Sequence, residues 1–287
     1  MQHRVKILFS VISSPITLEQ QKWKSSKMKG ILVVGGITKN SIESCIDKKQ
    51  NNIERITITR WLLGILLKSL PSARAFNRRF YGAMSGVSKH YHFIRVSRGM
   101  KEDIQVWLSF LDKLMVVIYS PMKFGWLMKG SGQLFIDSSG SLWCGAFFQN
   151  KWIVLQWPTE WNRNILQDIT FLELVPIVLA VTTWCKQLTN KKVIFHVDNL
   201  ALVEIFNSKS SKSSRVMSLL RPLVLITMNN NIQLKCCHIQ GSRNDIADSI
   251  SHFQWARFMR LAPDADLYPT PIPSQFLNFL DWKLINW

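Results

Sequence analysis

The stretch "TFLELVPIVLAVTTWCKQL", residues 170 to 188, constrains the fold more than any other part of the chain. It has the length of a helix, and its interior is almost wholly apolar. A helix without a polar face has to be covered, so it should lie against a sheet. The strands are legible on both sides of it. Upstream, "QLFID", "LWCGAFF" and "WIVLQW" read as three short strands, the first two joined by the Ser/Gly turn "SSGS". Downstream, "KKVIFHVD" reads as a buried strand, apolar almost without a break up to its final aspartate. A short helix "NLALVEIFN", a polar loop "SKSSKSS" and a helix "RVMSLLRPLVLITM" follow. A fifth strand "IQLKCCHI" and one last helix "GSRNDIADSISHFQWARFM" complete the pattern. The predicted order is β-β-β-α-β-α-α-β-α, an α/β fold on a five-stranded mixed sheet.

The chain ahead of this pattern differs in character. Lys+Arg number 36 against 18 Asp+Glu, a formal charge of +18, and the excess is uneven. Residues 1–130 carry 22 basic and 7 acidic side chains, leaving 14 and 11 for residues 131–287. So basic a balance points to a polyanionic partner, nucleic acid or an anionic membrane surface. Residues 1–56 are polar and basic, with Lys22, Lys24, Lys27 and Lys29 close together and a strand-like "ILVVGG". In "ITITRWLLGILLKSLPSARAFNRRFYGAM", helix-period apolar positions surround Arg74, Arg78 and Arg79. These arginines form either a solvated helix face or a helix that tracks phosphates. "KEDIQVWLSFLDKL" is an amphipathic helix with Ile104, Trp107, Leu108 and Leu111 on one side. The pattern changes at "KGSG", residues 129–132. The expected division is a basic, mostly helical region over 1–130, the α/β domain over 131–262 and a proline-containing tail over 263–287. The tail, "PDADLYPTPIPSQF", reads as an extended segment or linker.

No apolar run reaches the roughly 18 residues that span a bilayer. The five cysteines (Cys45, Cys144, Cys185, Cys236 and Cys237) form no CxxC pattern and no even framework, which fits a reducing compartment. The opening "MQHRVKILFSVISS" weakly imitates a signal peptide, but the remainder reads as intracellular, in cytoplasm or nucleus, and secretion is not expected.

Four acids fall near element ends in the second half: Asp137 ending the first strand, Glu173 near the start of the apolar helix, Asp198 ending the fourth strand and Asp248 in the last helix. In an α/β sheet the carboxyl ends of strands and the adjoining helix starts face one crevice. Carboxylates converging there without a His or Cys ligand motif favour hard divalent cations, Mg²⁺ or Mn²⁺. Two such ions ~4 Å apart can activate a water and stabilise the leaving oxygen of a phosphodiester. Each acid also has a plainer reading. Asp137 can open the hairpin turn, and Glu173 can close a capping box with Thr170, Pro176 marking a helix start nearby. Asp198 with Asn199 can cap a helix, and Asp248 competes with Asp245.

"LFIDSSGSLWCGAFF", "LQWPTEW", "LELVPIVLAVTTW", "HVDNLALVEIFN" and "HIQGSRNDIADSIS" together resemble the successive blocks of a retroelement ribonuclease H domain, most similar to reverse transcriptases of DIRS-like retrotransposons. The resemblance covers roughly residues 131–273. It implies an RNase H-like fold and two Mg²⁺ ions, with Mn²⁺ as substitute, held by Asp137, Glu173, Asp198 and Asp248. It also implies that His238 assists turnover, ahead of a "G..N..AD.LS" block whose "AD" selects Asp248 over Asp245. The implied substrate is an RNA–DNA hybrid. Ser138, Ser139, Asn199, Arg243 and Asn244 beside the acids, and Arg74, Arg78 and Arg79 upstream, are the expected nucleic-acid contacts. "LPSARAFNRRFYGAMSGVSKHYHFIRVSRGMKEDIQVWLSFL" resembles the segment joining polymerase to ribonuclease H in the same elements. The polymerase aspartate pair is absent from the chain, so no polymerase activity is expected, and a separate polymerase region is an expected partner. Leu142-Trp143 replaces a usual Trp-Gly and His252 a usual Arg, departures that fit a drifting copy. A non-catalytic remnant that binds nucleic acid through the basic half is therefore the alternative. An integrase of the same fold fits less well, for the HHCC pattern is missing and the glutamate lies between aspartates.

Overall fold

The computed structural model of the chain describes residues 50–67, 71–85, 87, 93–117, 133–140 and 142–277. The "ILVVGG" stretch, the lysines at 22–29 and the leader-like start lie outside the described residues. The chain divides into two units, Met1–Met122 and Lys123–Trp287, a boundary slightly ahead of the "KGSG" turn. Among the described residues no helix is long and apolar enough to cross a membrane.

In the first unit, β1 (Gln50–Asn52) leads into α1 (Ile53–Leu66), a 3₁₀ turn over Pro71–Phe76, α2 (Arg78–Met84), β2 (Phe93–Arg95) and α3 (Arg98–Val117). β1 and β2 pair antiparallel, with Asn51 opposite Ile94. The expected periodicity of α3 holds: Ile104, Trp107 and Leu111 are buried and Leu108 is half-buried. Phe110 is buried too, and meets Phe76 edge-on at 5.7 Å between ring centroids. Arg79, expected on a nucleic-acid face, is committed within the unit. Its guanidinium Nη1 donates to the buried Asp103 Oδ1 at 2.9 Å and to the Gly99 carbonyl at 2.7 Å. Burying Asp103 demands such a partner. Arg74 is exposed and Arg78 half-buried.

The second unit runs β3 (Gln133–Ser138), β4 (Trp143–Phe148), β5 (Lys151–Gln156), α4 (Arg163–Leu166), α5 (Ile169–Thr183), α6 (Cys185–Leu188) and β6 (Lys192–Val197). It continues with α7 (Leu200–Ser208), α8 (Ser214–Asn229), β7 (Gln233–His238), a 3₁₀ turn over Gly241–Arg243, α9 (Asp245–Ser251), α10 (Trp255–Leu261) and α11 (Ser274–Leu277). The five strands form one mixed sheet in the order β5-β4-β3-β6-β7. β3, β4 and β5 pair antiparallel, and β6 lies parallel to both β3 and β7. All five expected strands are present.

α5 is buried over every residue from Phe171 to Val181, as its all-apolar surface requires. Its start differs from the sequence reading. Asp168 is the cap, its carboxylate accepting from the Phe171 amide at 3.1 Å. Thr170 is thus already helical, the Thr170–Glu173 capping box does not form, and Pro176 lies in the helix interior. A proline there removes only one helical donor, the one aimed at the Leu172 carbonyl.

Helices cover both faces of the sheet. Phe148 of β4 meets Trp184, at the end of α5, at 5.6 Å. On the opposite face Trp152, Ile250, Phe258 and Ala262 form a second core, to which Phe147 adds an edge contact with Phe258 at 6.1 Å. The single last helix expected from sequence is broken in two. Phe253 takes a left-handed backbone conformation (φ 58°) between α9 and α10. The tail is also no loose linker over its described part. The Asp266 amide donates to the Asn150 carbonyl at 2.7 Å, and the Thr270 amide to the Trp152 carbonyl at 2.8 Å. The Trp152 indole N–H donates to the Asp266 carbonyl at 2.7 Å. The segment is thereby strapped along edge strand β5, and Phe276 of α11 is fully buried. Covering an edge strand removes an open set of pairing groups.

Candidate metal centre

The sheet register brings the first two acids together. β3 pairs parallel to β6 with Phe135 opposite His196, so two residues further on Asp137 is level with Asp198. Glu173, one turn beyond the cap of α5, reaches the same strand ends. The Ser138 hydroxyl donates to Glu173 Oε1 at 2.8 Å. Glu173 Oε2 is buried with no hydrogen-bond partner. One carboxylate oxygen from each of Asp137, Glu173 and Asp198 lies within 4.8 Å of the others. Asp137 and Glu173 are buried while Asp198 is exposed, so the group opens to solvent on the Asp198 side.

A second group shares Asp137: ligand atoms of Asp137, Asp248 and His252 also lie within 4.8 Å of one another. It depends on a close approach of α9 to the sheet at Gly145, which pairs with Asp137. A Cβ on Gly145 would come within 2.5 Å of Ile250 Cγ2 and 2.8 Å of its Cβ. Because Gly145 leaves that space open, the Ser251 hydroxyl donates to Asp137 Oδ2. His252 Nδ1 is 3.3 Å from Asp248 Oδ1. Arg257 joins Asp245 and Asp248, its Nη1 donating to Asp248 Oδ2 at 2.5 Å and its Nη2 to Asp245 Oδ1. Asp248 thus belongs to a ligand group, and Asp245 belongs to neither.

The proximity of these acids is unfavourable without a cation. Burial pushes the Asp137 carboxyl up to about 6, against the lowering effect of the Ser251 bond and with Asp198 and Asp248 adding repulsion. Burial, reinforced by Asp137, pushes Glu173 further, to about 8. A divalent cation would favour the ionised form of both. The donors are carboxylate oxygens, one of them buried without a partner, which is the chemistry of a hard-cation site. The Asp137, Glu173 and Asp198 set could hold a divalent cation.

The other expected residues are placed as follows. His238 ends β7 opposite Val197, exposed and outside both ligand groups. It is the last residue of the strand, within the expected "IQLKCCHI". Asn199 caps α7, accepting from the Leu202 amide at 3.1 Å, so the Asp198-Asn199 cap is made by the asparagine. Ser138 holds Glu173. Ser139 is buried in the hairpin turn, where its hydroxyl accepts from the Leu142 amide at 3.3 Å. Asn244 is buried, donating to the Ile136 carbonyl at 2.8 Å. These last two serve the fold, and their burial removes them from a nucleic-acid surface. Arg243 is exposed in the 3₁₀ turn, whose Gly241 has its Cβ position 3.5 Å from Asp198 Oδ2.

Ser251, Arg257 and Gly145 escaped sequence reasoning. His252 had a visible sign, as a departure from the family pattern, but its place beside Asp248 follows from the helix spacing of four residues. No protein-family model matches the chain, and no curated protein sequence matches it.

Proposed function

We propose that the second unit is an RNase H-type endonuclease domain that hydrolyses the RNA strand of RNA–DNA hybrids. The observation that carries this reading is the convergence of Asp137, Glu173 and Asp198 at the ends of adjacent parallel strands, around a buried carboxylate oxygen that lacks a partner. Those are three of the four acids the resemblance implies, and Asp248 belongs to a second group that shares Asp137. The strand order, three antiparallel strands followed by two parallel ones, supports an RNase H-like architecture.

In this reading Asp137, Glu173 and Asp198 would hold Mg²⁺, with Mn²⁺ as substitute, and Asp248 stands in the other acidic group around Asp137. Bound cations lower the pKa of water and offset charge on the leaving oxygen. The chain's own residues do the rest. The exposed Asp198 marks the side from which a phosphodiester enters, and the exposed Arg243, in the 3₁₀ turn whose Gly241 approaches Asp198, offers a phosphate contact. Ser138 and Ser251 hold the Glu173 and Asp137 carboxylates in place. Water adds to phosphorus, the P–O3′ bond breaks and a proton passes to O3′, leaving 3′-hydroxyl and 5′-phosphate ends. His238, next to Asp198's strand, assists proton transfer or product release. Its replacement by Ala should slow turnover ~10–100-fold without changing the fold. The basic first unit, with Arg74 exposed, adds sequence-independent grip on the backbone. Such a substrate implies action in cytoplasm or nucleus, beside a polymerase region supplied from elsewhere.

One observation favours the second reading, a nucleic-acid-binding remnant: Arg257 already pairs with Asp248. Cleavage of an end-labelled RNA–DNA hybrid with Mg²⁺, against the Asp198→Asn variant, separates the two.

A further inference from the structure

Asp248 and Glu173 differ in how far the protein itself satisfies them. Arg257 Nη1 lies on Asp248 Oδ2 at 2.5 Å, and His252 Nδ1 lies 3.3 Å from Oδ1, so both oxygens of Asp248 face nitrogen groups. Arg257 is itself anchored, donating through Nη2 to Asp245 and through Nη1 to Gln254 Oε1 at 2.9 Å. Glu173, by contrast, keeps Oε2 buried and unpartnered beside Asp137 and Asp198.

The chain path explains how Arg257 gets there. On one continuous helix nine residues rise roughly 13.5 Å, too far for a direct pair. The left-handed residue Phe253 breaks the helix and turns α10 back, so that Arg257 returns to Asp245 and Asp248. A guanidinium in this place competes with a metal ion twice. It occupies a ligand oxygen, and its charge repels a divalent cation placed a few ångströms away.

We propose that the centre holds one divalent cation, between Asp137, Glu173 and Asp198, and that Arg257 is a built-in counter-cation that keeps a second one off Asp248. This deepens the cation-binding part of the proposed function and does not depend on hybrid cleavage. The position it blocks is otherwise formed, since ligand atoms of Asp137, Asp248 and His252 lie within 4.8 Å of one another. Removing Arg257 therefore opens a second position and does not merely weaken the first.

The experiment is a Mn²⁺ titration of the full, metal-stripped chain, counting free Mn²⁺ by its electron paramagnetic resonance signal. Wild type should bind one Mn²⁺ per chain, and Arg257→Gln two. Arg257→Lys, which keeps the charge, should stay at one, and its melting curve checks that the fold survives substitution here. Glu173→Gln should weaken the first ion at least tenfold. Two ions of similar affinity in wild type, or a single ion in Arg257→Gln, would overturn the proposal. Hybrid cleavage scored on the same samples separates the two claims. One bound ion without cleavage removes the nuclease reading alone, whereas cleavage with two bound ions removes the counter-cation alone. No bound ion in any variant removes both.

Discussion

Ser138 and Glu173 are joined across the mouth of the sheet: the serine hydroxyl donates to Glu173 Oε1 at 2.8 Å, tying the last residue of β3 to α5. The bond satisfies one oxygen and leaves the other buried without a partner. Burial outweighs it, and the Glu173 carboxyl is held at about 8, above its ordinary value near 4.5.

This sets a pH dependence of definite sign. Between those two values the folded chain keeps a proton that the unfolded chain has lost, so stability falls as pH rises through the window. Asp137 adds the same effect up to about 6. The stripped protein should therefore lose several degrees of melting temperature between about pH 5 and about pH 8. Mg²⁺ should raise the melting temperature more near pH 8 than near pH 6, because it binds the ionised carboxylates. Melting curves in chelator and in Mg²⁺ check this, and curves flat in both conditions would contradict it.

Gly145 is the spacing element of the centre. Gly145→Ala forces a Cβ against Ile250 and pushes α9 off the sheet, so it should destabilise the fold by ~1–3 kcal/mol. It should also weaken Mn²⁺ binding, since Ser251 would lose its hold on Asp137. Chemical denaturation and a Mn²⁺ titration on the same variant measure both effects. A stability loss with cation affinity unchanged would show that the close packing does not shape the centre.

Arg74 and Arg79 should behave as opposites. Arg79→Ala removes a partner of the buried Asp103 and should cost about 2 kcal/mol, less than a fully buried pair because the arginine is partly exposed. Arg74→Ala should leave stability alone and weaken nucleic-acid binding, with the salt slope reduced by about one. Denaturation and salt-dependent binding of a labelled hybrid distinguish them. Equal loss of binding with no loss of stability in both variants would contradict the assignment.

The described part of the tail is a strap on β5. Phe276→Ala should destabilise the second unit by ~3–5 kcal/mol, as expected for a fully buried ring. A linker would tolerate the change, so an unaltered denaturation midpoint would restore the linker reading.

The five strands and α5 were legible because local apolar pattern determines them: α5 has no polar face and β6 alternates little. Asp137, Glu173 and Asp198 were found by their positions at element ends, which register and topology then bring together. What stayed hidden depends on distant partners. Pro176 was read as a helix start because an interior proline is rare, while Asp168 caps the helix from a position with no distinctive motif. Nothing in "SHFQWARF" announces that a phenylalanine will take a left-handed conformation, so neither the break nor the return of Arg257 was visible. The prolines of the tail read as an extended segment or linker, but its bonds to Asn150 and Trp152 along the edge strand depend on residues over a hundred positions away. Arg79 showed its charge in the sequence but not Asp103, its partner from another helix.

The central claim is that Asp137, Glu173 and Asp198 form a metal-dependent nuclease centre, and its most direct test is strand-specific cleavage. An RNA–DNA hybrid labelled on each strand in turn is incubated with the full chain and Mg²⁺, beside Asp198→Asn and beside the wild type with chelator. The RNA strand alone should be cleaved, leaving 3′-hydroxyl ends. The rate should be at least ~100-fold lower in the variant, with no cleavage in chelator. Cleavage that persists in Asp198→Asn or in chelator, or a wild type that binds the hybrid and leaves both strands whole, would contradict it.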